Sequence, residues 1–419
     1  MAQDSNTLTP RKEWWLLVVL ASIQFTNLMD FVILMPLGPQ LMRVFNISPQ
    51  QFGLIVSSYT FSAGIVGFLG AMVVDRFDRK KTLLILYAGF GISNLLCALA
   101  PSFEFLVAAR VVTGAFGGIM GATVFAIVGD VIPDIRRGAA MGTVMASFSL
   151  ATVAGVPVGL FLANSFGWHI PFFMLAGTSS IVLVVGYFVL PSIRGHLAHR
   201  GQASPFRAFV NLLTHRNHIN SFIFMSAMMF AGFSVIPYIS PYMVVNVGLT
   251  EKDLPYIYFL GGAATMFTSR YFGRLTDRFG KQRTFAWVAS FSMVPILVLT
   301  NLPRVPLWAT LIVTTFFMIF TSGRMVPAMA MVTASVQPKQ RGSFMSINSS
   351  IQQFSSGIAS FSAGLILNKT SAGTLTNYGI VGALAVATSV LCIVLSRRIR
   401  SAENSQAVPS PQEVLFETV

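Results

Sequence analysis

Charge is scarce in this sequence: Asp, Glu, Lys and Arg make up 10% of its 419 residues, against roughly 25% in an average soluble domain. A water-facing surface cannot be assembled from so few charges. Acids are scarcer than bases, 14 against 28, and they almost vanish from the long apolar stretches. The chain has only two cysteines, Cys97 and Cys392, and five histidines. Both cysteines lie in apolar runs without metal-ligand spacing or a disulfide framework, so they read as packing or lipid-facing residues, and no metal or cofactor is expected. The apolar runs also lack a His/Asp/Glu cluster, a Ser/His pair and any metal motif, which disfavours a membrane-embedded enzyme. Residues 1–13 contain acids and no apolar h-region before a cleavage site, so the first apolar run is expected to be a retained helix and not a signal peptide.

What the chain has in abundance is apolar length. Hydrophobic residues make up 54% of it, the mean hydropathy is +0.70, and runs long enough to cross a bilayer recur throughout. The run 14–36 extends roughly 34 Å as a helix at about 1.5 Å per residue, more than a hydrocarbon core of about 30 Å. Breaks at Gly, Pro and charge clusters predict spans at 14–36, 51–74, 82–100, 103–128, 139–164 and 170–191, then at 219–245, 254–273, 284–302, 307–336, 343–367 and 378–396. The expected fold is an all-α membrane protein of twelve transmembrane helices. Its plan is a segment 1–13, an N-terminal six-helix bundle 14–191, a linker 192–218, a C-terminal six-helix bundle 219–396 and a disordered tail 397–419. Within the linker, Phe206, Phe209, Val210 and Leu213 share one helical face, which predicts a short helix lying in the inner membrane interface. His196, His199, His215 and His218 fall in or beside that linker and are read as solvated.

The formal charge of +14 could suggest nucleic acid, but its distribution argues otherwise. With the N-terminus inside, the outer loops hold only Arg43, Lys252, Arg304 and Lys369, and the spans hold Arg110, Arg270 and Arg324; every other Lys and Arg lies on the inner side. That is the positive-inside pattern, and an even helix count puts both termini in the cytoplasm. No nucleic-acid partner is expected.

An internal repeat runs through the loops. Asp75, Arg76 and Phe77, followed by Arg79, Lys80 and Lys81, return as Asp277, Arg278 and Phe279 followed by Lys281 and Arg283, roughly 200 residues on. Arg137, Gly138 and Met141 return as Arg341, Gly342 and Met345 at nearly the same spacing. Duplication of a six-helix unit explains both, with the halves packed about an axis along the membrane normal. Here the chain resembles the major facilitator superfamily, over residues 14–398. The loop resembles that family's signature between helices 2 and 3, although Ala71 and Asp78 stand where the family has glycines. Arg110, Gly114, Gly117 and Gly118 in the fourth span are similar to its buried-arginine motif. Gly155, Pro157 and Gly159 in the fifth are similar to the motif of its proton-coupled antiporters, and Met29, Asp30, Met35 and Pro36 add a likeness to the twelve-helix drug and sugar efflux branch.

The resemblance implies a gate. Asp75 would sit against the N-terminus of the eleventh span, near Ser343, where the helix dipole favours an anion; Arg79 would reach Asp130, and Asp277 with Lys281 would form a partial counterpart. On this reading Asp75→Asn impairs transport more than Lys80→Gln in correctly inserted protein. Equal small losses in a proteoliposome assay would leave the latch unsupported, and these charges would then only hold the loop inside.

Three ionisable residues lie deep in spans, where each costs about 2.5–3.5 kcal/mol without a partner or a functional reason. Asp30 is the only deep acid. Arg110 sits at matching depth in the fourth span, so a pair is expected, either one that exchanges protons or a static pair that only neutralises two charges. Thr26 and Asn27 share the helical face of Asp30, which predicts that this face lines a cavity. Arg324 lies near mid-membrane beside Pro327 with no matching acid, and either pairs with backbone carbonyls, snorkels inward or binds an anionic or hydroxyl-rich substrate. Asn348, Gln352 and Ser355 share a face suited to polar contacts. The reading these residues support is a secondary active transporter that exchanges protons for a small organic solute by alternating access, monomeric, in a bacterial inner membrane. A facilitative uniporter or a proton symporter on the same fold is the alternative.

Overall fold

The computed structural model describes residues 9–73, 77–193, 212–337, 340–371 and 373–402. In lipid every backbone N–H and C=O must be satisfied within the chain, so runs of this hydropathy fold as helices. The first half contains α1 (Pro10–Ile33), a short α2 (Gly38–Val44), α3 (Pro49–Val73), α4 (Arg79–Ala98), α5 (Phe103–Val131), α6 (Asp134–Leu150) continuing through a π turn (Ala151–Gly155) into α7 (Val156–Phe166), and α8 (Ile170–Val189). The second half contains α9 (Arg216–Phe233), a 3-10 turn (Ile236–Tyr238), α10 (Ile239–Tyr242) and a π turn (Met243–Val247), which together make one broken span. It continues with α11 (Leu254–Phe279), α12 (Lys281–Thr300), α13 (Leu307–Gly323), α14 (Met325–Ala334), α15 (Arg341–Ile366) and α16 (Tyr378–Ser396). A two-residue hairpin, β1 (Asn368–Lys369) with β2 (Leu375–Thr376), joins the last two helices.

Among the described residues ten segments are long and apolar enough to span a bilayer. The two remaining full-length helices, α11 and α15, are 26 residues each but carry too many polar groups to qualify. Phe206, Phe209 and Val210 of the expected interfacial linker helix lie outside the described residues, as do Asp75, Arg76, His196, His199 and the tail beyond residue 402, whereas Leu213 is described and packs against the core around Phe224.

Local chemistry explains where helices stop or bend. Asp78, which replaces a family glycine, caps α4: its carboxylate accepts from the backbone N–H of Lys80 at 2.9 Å and of Lys81 at 3.3 Å, and from the Ser192 hydroxyl at 2.6 Å. The tenth span breaks between Gly323 and Met325 because Pro327 has no N–H and its ring clashes with the carbonyl four residues back. Arg324 sits at that break.

The two ends of the bundle differ. Away from the termini, one apolar core unites both halves, with Phe52, Leu106 and Phe172 from the first and Tyr238, Leu299 and Val381 from the second. At the end bearing the termini there are two separate cores, one around Leu83, Tyr87 and Val124, the other around Phe224, Phe285 and Phe344. The halves also meet along α3 and α15 and where α11 crosses α7 and the π turn before it.

Candidate functional site

The site is built by α1, α3 and α5. Arg110 is wholly buried, and α5 approaches α3 so closely because of the glycines that follow it. A Cβ on Gly114 would overlap the Tyr59 carbonyl oxygen, and one on Gly118 would overlap the carbonyl of Ala63. At Gly117 it would lie 2.6 Å from the Tyr59 hydroxyl and 2.8 Å from the Asn27 side-chain oxygen. The glycines therefore seat the arginine against α1 and α3.

Arg110 Nη1 donates to Asp30 Oδ1 at 2.8 Å. Its guanidinium carbon lies 4.5 Å from the centre of the Tyr59 ring, a cation–π contact worth up to about 2 kcal/mol when desolvated. Tyr59 donates its hydroxyl to Asn27 Oδ1 at 3.2 Å. Asp30 Oδ2 and Arg110 Nε are buried without a hydrogen-bond partner. The two side chains are therefore joined by one hydrogen bond, with no partner for the second carboxylate oxygen among the described residues.

Thr26 and Asn27, expected on a cavity wall, are buried and turned into the first half. Thr26 shares a hydrogen bond of 3.1 Å with the Tyr87 hydroxyl of α4, and Asn27 reaches the Gly117 carbonyl at 3.5 Å. The part of α1 that meets the other half is instead the next face along: Phe31 packs against Phe233 of α9. Helical periodicity identifies which residues share a face, but not which neighbour that face meets.

The antiporter-like glycines pack on the same helix. A Cβ at Gly155 would lie 2.7 Å from Met29 Sδ, and one at Gly159 2.7 Å from the Met29 methyl carbon. Pro157 follows the π turn at the start of α7, so this bent span lies against α1 one residue from Asp30. From the other side, a Cβ at Gly262 of α11 would lie 3.1 Å from the Thr152 backbone, and the π turn is where the halves cross.

Arg324 is 3% exposed. Its Nη1 donates to Ser389 Oγ at 3.1 Å, its Nη2 lies beside Gly232 of α9, and no carboxylate among the described residues pairs with it. Asn348 on α15 is fully buried with both amide atoms unpartnered, whereas Gln352, one turn on, is half-buried. Among the described residues no hydrogen bond or ion pair joins these side chains to the Asp30 pair. At the end bearing the termini, the structure brings Arg79 and Asp130 into an ion pair. Asp277, Arg278 and Lys281 are exposed, and the Arg278 guanidinium lies 5.2 Å from the Phe279 ring. His218, read as solvated, is buried: its ring packs against Phe344 and its Nδ1 lies 3.2 Å from the Leu212 carbonyl oxygen. No cluster of metal ligands occurs among the described residues.

At the opposite end the halves are tied by polar contacts that the sequence did not reveal. Arg43 Nη1 donates to Glu251 Oε1 at 2.6 Å, and Gln40 bonds Asn164 at 2.7 Å, which in turn donates to the Glu251 carbonyl at 2.9 Å. The Tyr238 hydroxyl reaches the Ser360 carbonyl at 2.8 Å and the Pro49 carbonyl at 3.3 Å.

A sequence model described as the Major Facilitator Superfamily matches residues 20–300 and 222–417. The uncharacterized MFS-type transporter YceJ of Bacillus subtilis (strain 168) is 25% identical over 393 residues, covering 93% of this chain and 98% of that protein. Multidrug resistance protein 2 of the same strain is 24% identical over 338 residues, 79% of this chain and 84% of its own. Among solved structures, a bacterial homolog of the human lysosomal transporter Spinster, inward-facing and unoccupied, superposes with a TM-score of 0.74 at 16% identity, covering 96% of this chain and 100% of that one.

Proposed function

The chain belongs to the major facilitator superfamily, and from that premise we propose that it exports a small organic solute in exchange for protons, with Asp30 as the proton carrier. Secondary transport of small molecules across a lipid bilayer comes with the family; the proton, the direction and the residues are the proposal. The observation that carries it is the half-satisfied pair: Asp30 Oδ2 has no partner although the residue is fully buried. A pair kept only to neutralise charge gains by bonding all its polar atoms, since each orphan costs about 1–3 kcal/mol. A proton-exchanging carboxylate needs one oxygen free.

Two further observations favour export. The helix carrying Asp30 is gripped by Gly155 and Gly159 of the antiporter-like motif, and one relative is a multidrug resistance protein. We place both termini in the cytoplasm of a bacterial inner membrane from the distribution of Lys and Arg. In that orientation the united core and the Arg43–Glu251 tie close the outside, an inward-facing state. Of the three polar groups of the second half assigned to solute, Gln352 is half-buried, whereas Arg324 and Asn348 are buried in this state and meet solute only once the helices around them move. Asp75, Arg79, Asp130, Asp277 and Lys281 are the inner gate.

The test is transport of a candidate solute library in proteoliposomes with a pH-sensitive dye trapped inside. Uphill movement is expected only with a pH gradient, with protons moving opposite to solute. Protons moving with the solute make the protein a symporter, and undiminished uphill movement after an ionophore collapses the gradient removes proton coupling altogether.

A further inference from the structure

We infer that Phe31 and Tyr59 are positioning residues through which contact between the two halves is felt at the Asp30–Arg110 pair; this rests on the proton-carrying role of Asp30. Four contacts in series carry the inference. Phe233, on α9 in the second half, lies with its ring centre 5.6 Å from that of Phe31. Phe31 is stacked on Tyr59 at 5.6 Å with an interplanar angle of 29°. The Tyr59 ring lies 4.5 Å from the Arg110 guanidinium carbon, and Arg110 donates to Asp30 at 2.8 Å. Only the first contact crosses between halves; the other three lie within the first half and end on the carboxylate.

Tyr59 is held on two sides. Its hydroxyl is tied to Asn27 at 3.2 Å, and its backbone carbonyl is in contact with α5 at Gly114. The guanidinium of the buried Arg110 meets the Tyr59 face, the Asp30 carboxylate and the Cys97 thiol, while its Nε has no hydrogen-bond partner. Asp30 and Phe31 are adjacent on α1, one turned into the first half and the other toward the second. When the halves part, Phe31 loses Phe233, the stack on Tyr59 relaxes, and the guanidinium is free to turn away from the carboxylate. In the closed arrangement the same contacts hold the ion pair together.

The charged and titratable neighbours of Asp30 are few. Arg110 faces it from α5, Tyr59 from α3 and Cys97 from α4. The π turn and α7 carry no titratable residue; those of α6 are confined to its first turn, that of α8 to its inner end, and those of α9 to its first turn. Among the described residues Arg110 is thus the charged group whose displacement the carboxylate registers.

The experiment is a pH titration of the carboxyl infrared band of the full-length protein in nanodiscs, with the Asp30 contribution assigned as the part lost in Asp30→Asn. No solute is needed. Phe233→Ala and Tyr59→Leu are each expected to move the Asp30 midpoint by at least about one pH unit, whereas Tyr59→Phe, which gives up the bond to Asn27 but keeps the ring under Arg110, moves it less than Tyr59→Leu does. Phe31→Leu, which retains apolar bulk, serves where Tyr59→Leu fails to give monodisperse protein, and is expected to shift the midpoint likewise. An Asp30 band that titrates normally but ignores Phe233→Ala and the Tyr59 or Phe31 variant overturns this inference and leaves the proton carrier intact. A wild-type Asp30 that never titrates removes the proton carrier, and the positioning role with it.

Discussion

Asp30→Asn is expected to abolish uphill transport while leaving downhill exchange in place. With one proton exchanged per solute, a gradient of one pH unit is worth about 1.4 kcal/mol and supports roughly tenfold accumulation. In the variant that ratio should fall to one. Stability changes too, because the substitution leaves Arg110 buried without its counter-charge, and breaking a buried pair from one side costs about 3–5 kcal/mol. Asp30→Asn with Arg110→Gln balances the charge again. The double variant should recover much of the lost thermal stability but none of the accumulation. This separates a carrier from a static pair: recovery of uphill transport together with stability would mean that the carboxylate only neutralised the arginine.

Gly114→Ala should destabilise the protein more than its size suggests. The added methyl would overlap the Tyr59 backbone oxygen, which cannot rotate away as a side chain could. Overpacking of this kind costs about 1–3 kcal/mol and sometimes more. Gly129→Ala on the same helix meets nothing within 4 Å, and alanine is favoured over glycine inside a helix by about 0.5–1 kcal/mol. The two substitutions should therefore move the unfolding temperature of the purified protein in opposite directions. A drop for both, or for neither, would show that close approach of α5 to α3 is not what the glycine provides.

Sequence reasoning reached the Asp30–Arg110 pair because the chemistry left few options: one deep acid, and one arginine at the same depth. The Arg79–Asp130 contact was legible through the family's loop pattern. The surroundings were harder. Thr26 and Asn27 were correctly placed on the face of Asp30, yet that face meets α3, α4 and α5, since periodicity says nothing about what lies opposite. Tyr59 gave no signal at all. An aromatic in an apolar span looks the same whether it pads the core or supports a guanidinium, and only the glycines of α5, read as pairs with α3, could have pointed to it. His218 lies at the edge of a polar linker in sequence, but the chain turns it under Phe344, a contact more than a hundred residues away. The break at Arg324 was signalled by Pro327, with the bend falling on the preceding turn as the missing N–H requires.

The unequal hydropathy of the two halves bears on how the chain enters the membrane during synthesis. Among the described residues six qualifying spans lie before residue 190 and four after it. The helices that fall short, α11 and α15, are the ones that lie against the first half, along α7 and α3. Asn348, Ser350, Ser355, Ser356 and Ser360 of α15 are buried, since such groups are unfavourable against lipid tails and acceptable against another helix, whereas Arg270, Arg274 and Asp277 of α11 stay exposed. The first six helices can thus partition as they leave the ribosome, and they supply the surface that retains the two polar latecomers. A chain made in the opposite order would present α11 and α15 to bare lipid with nothing to receive them.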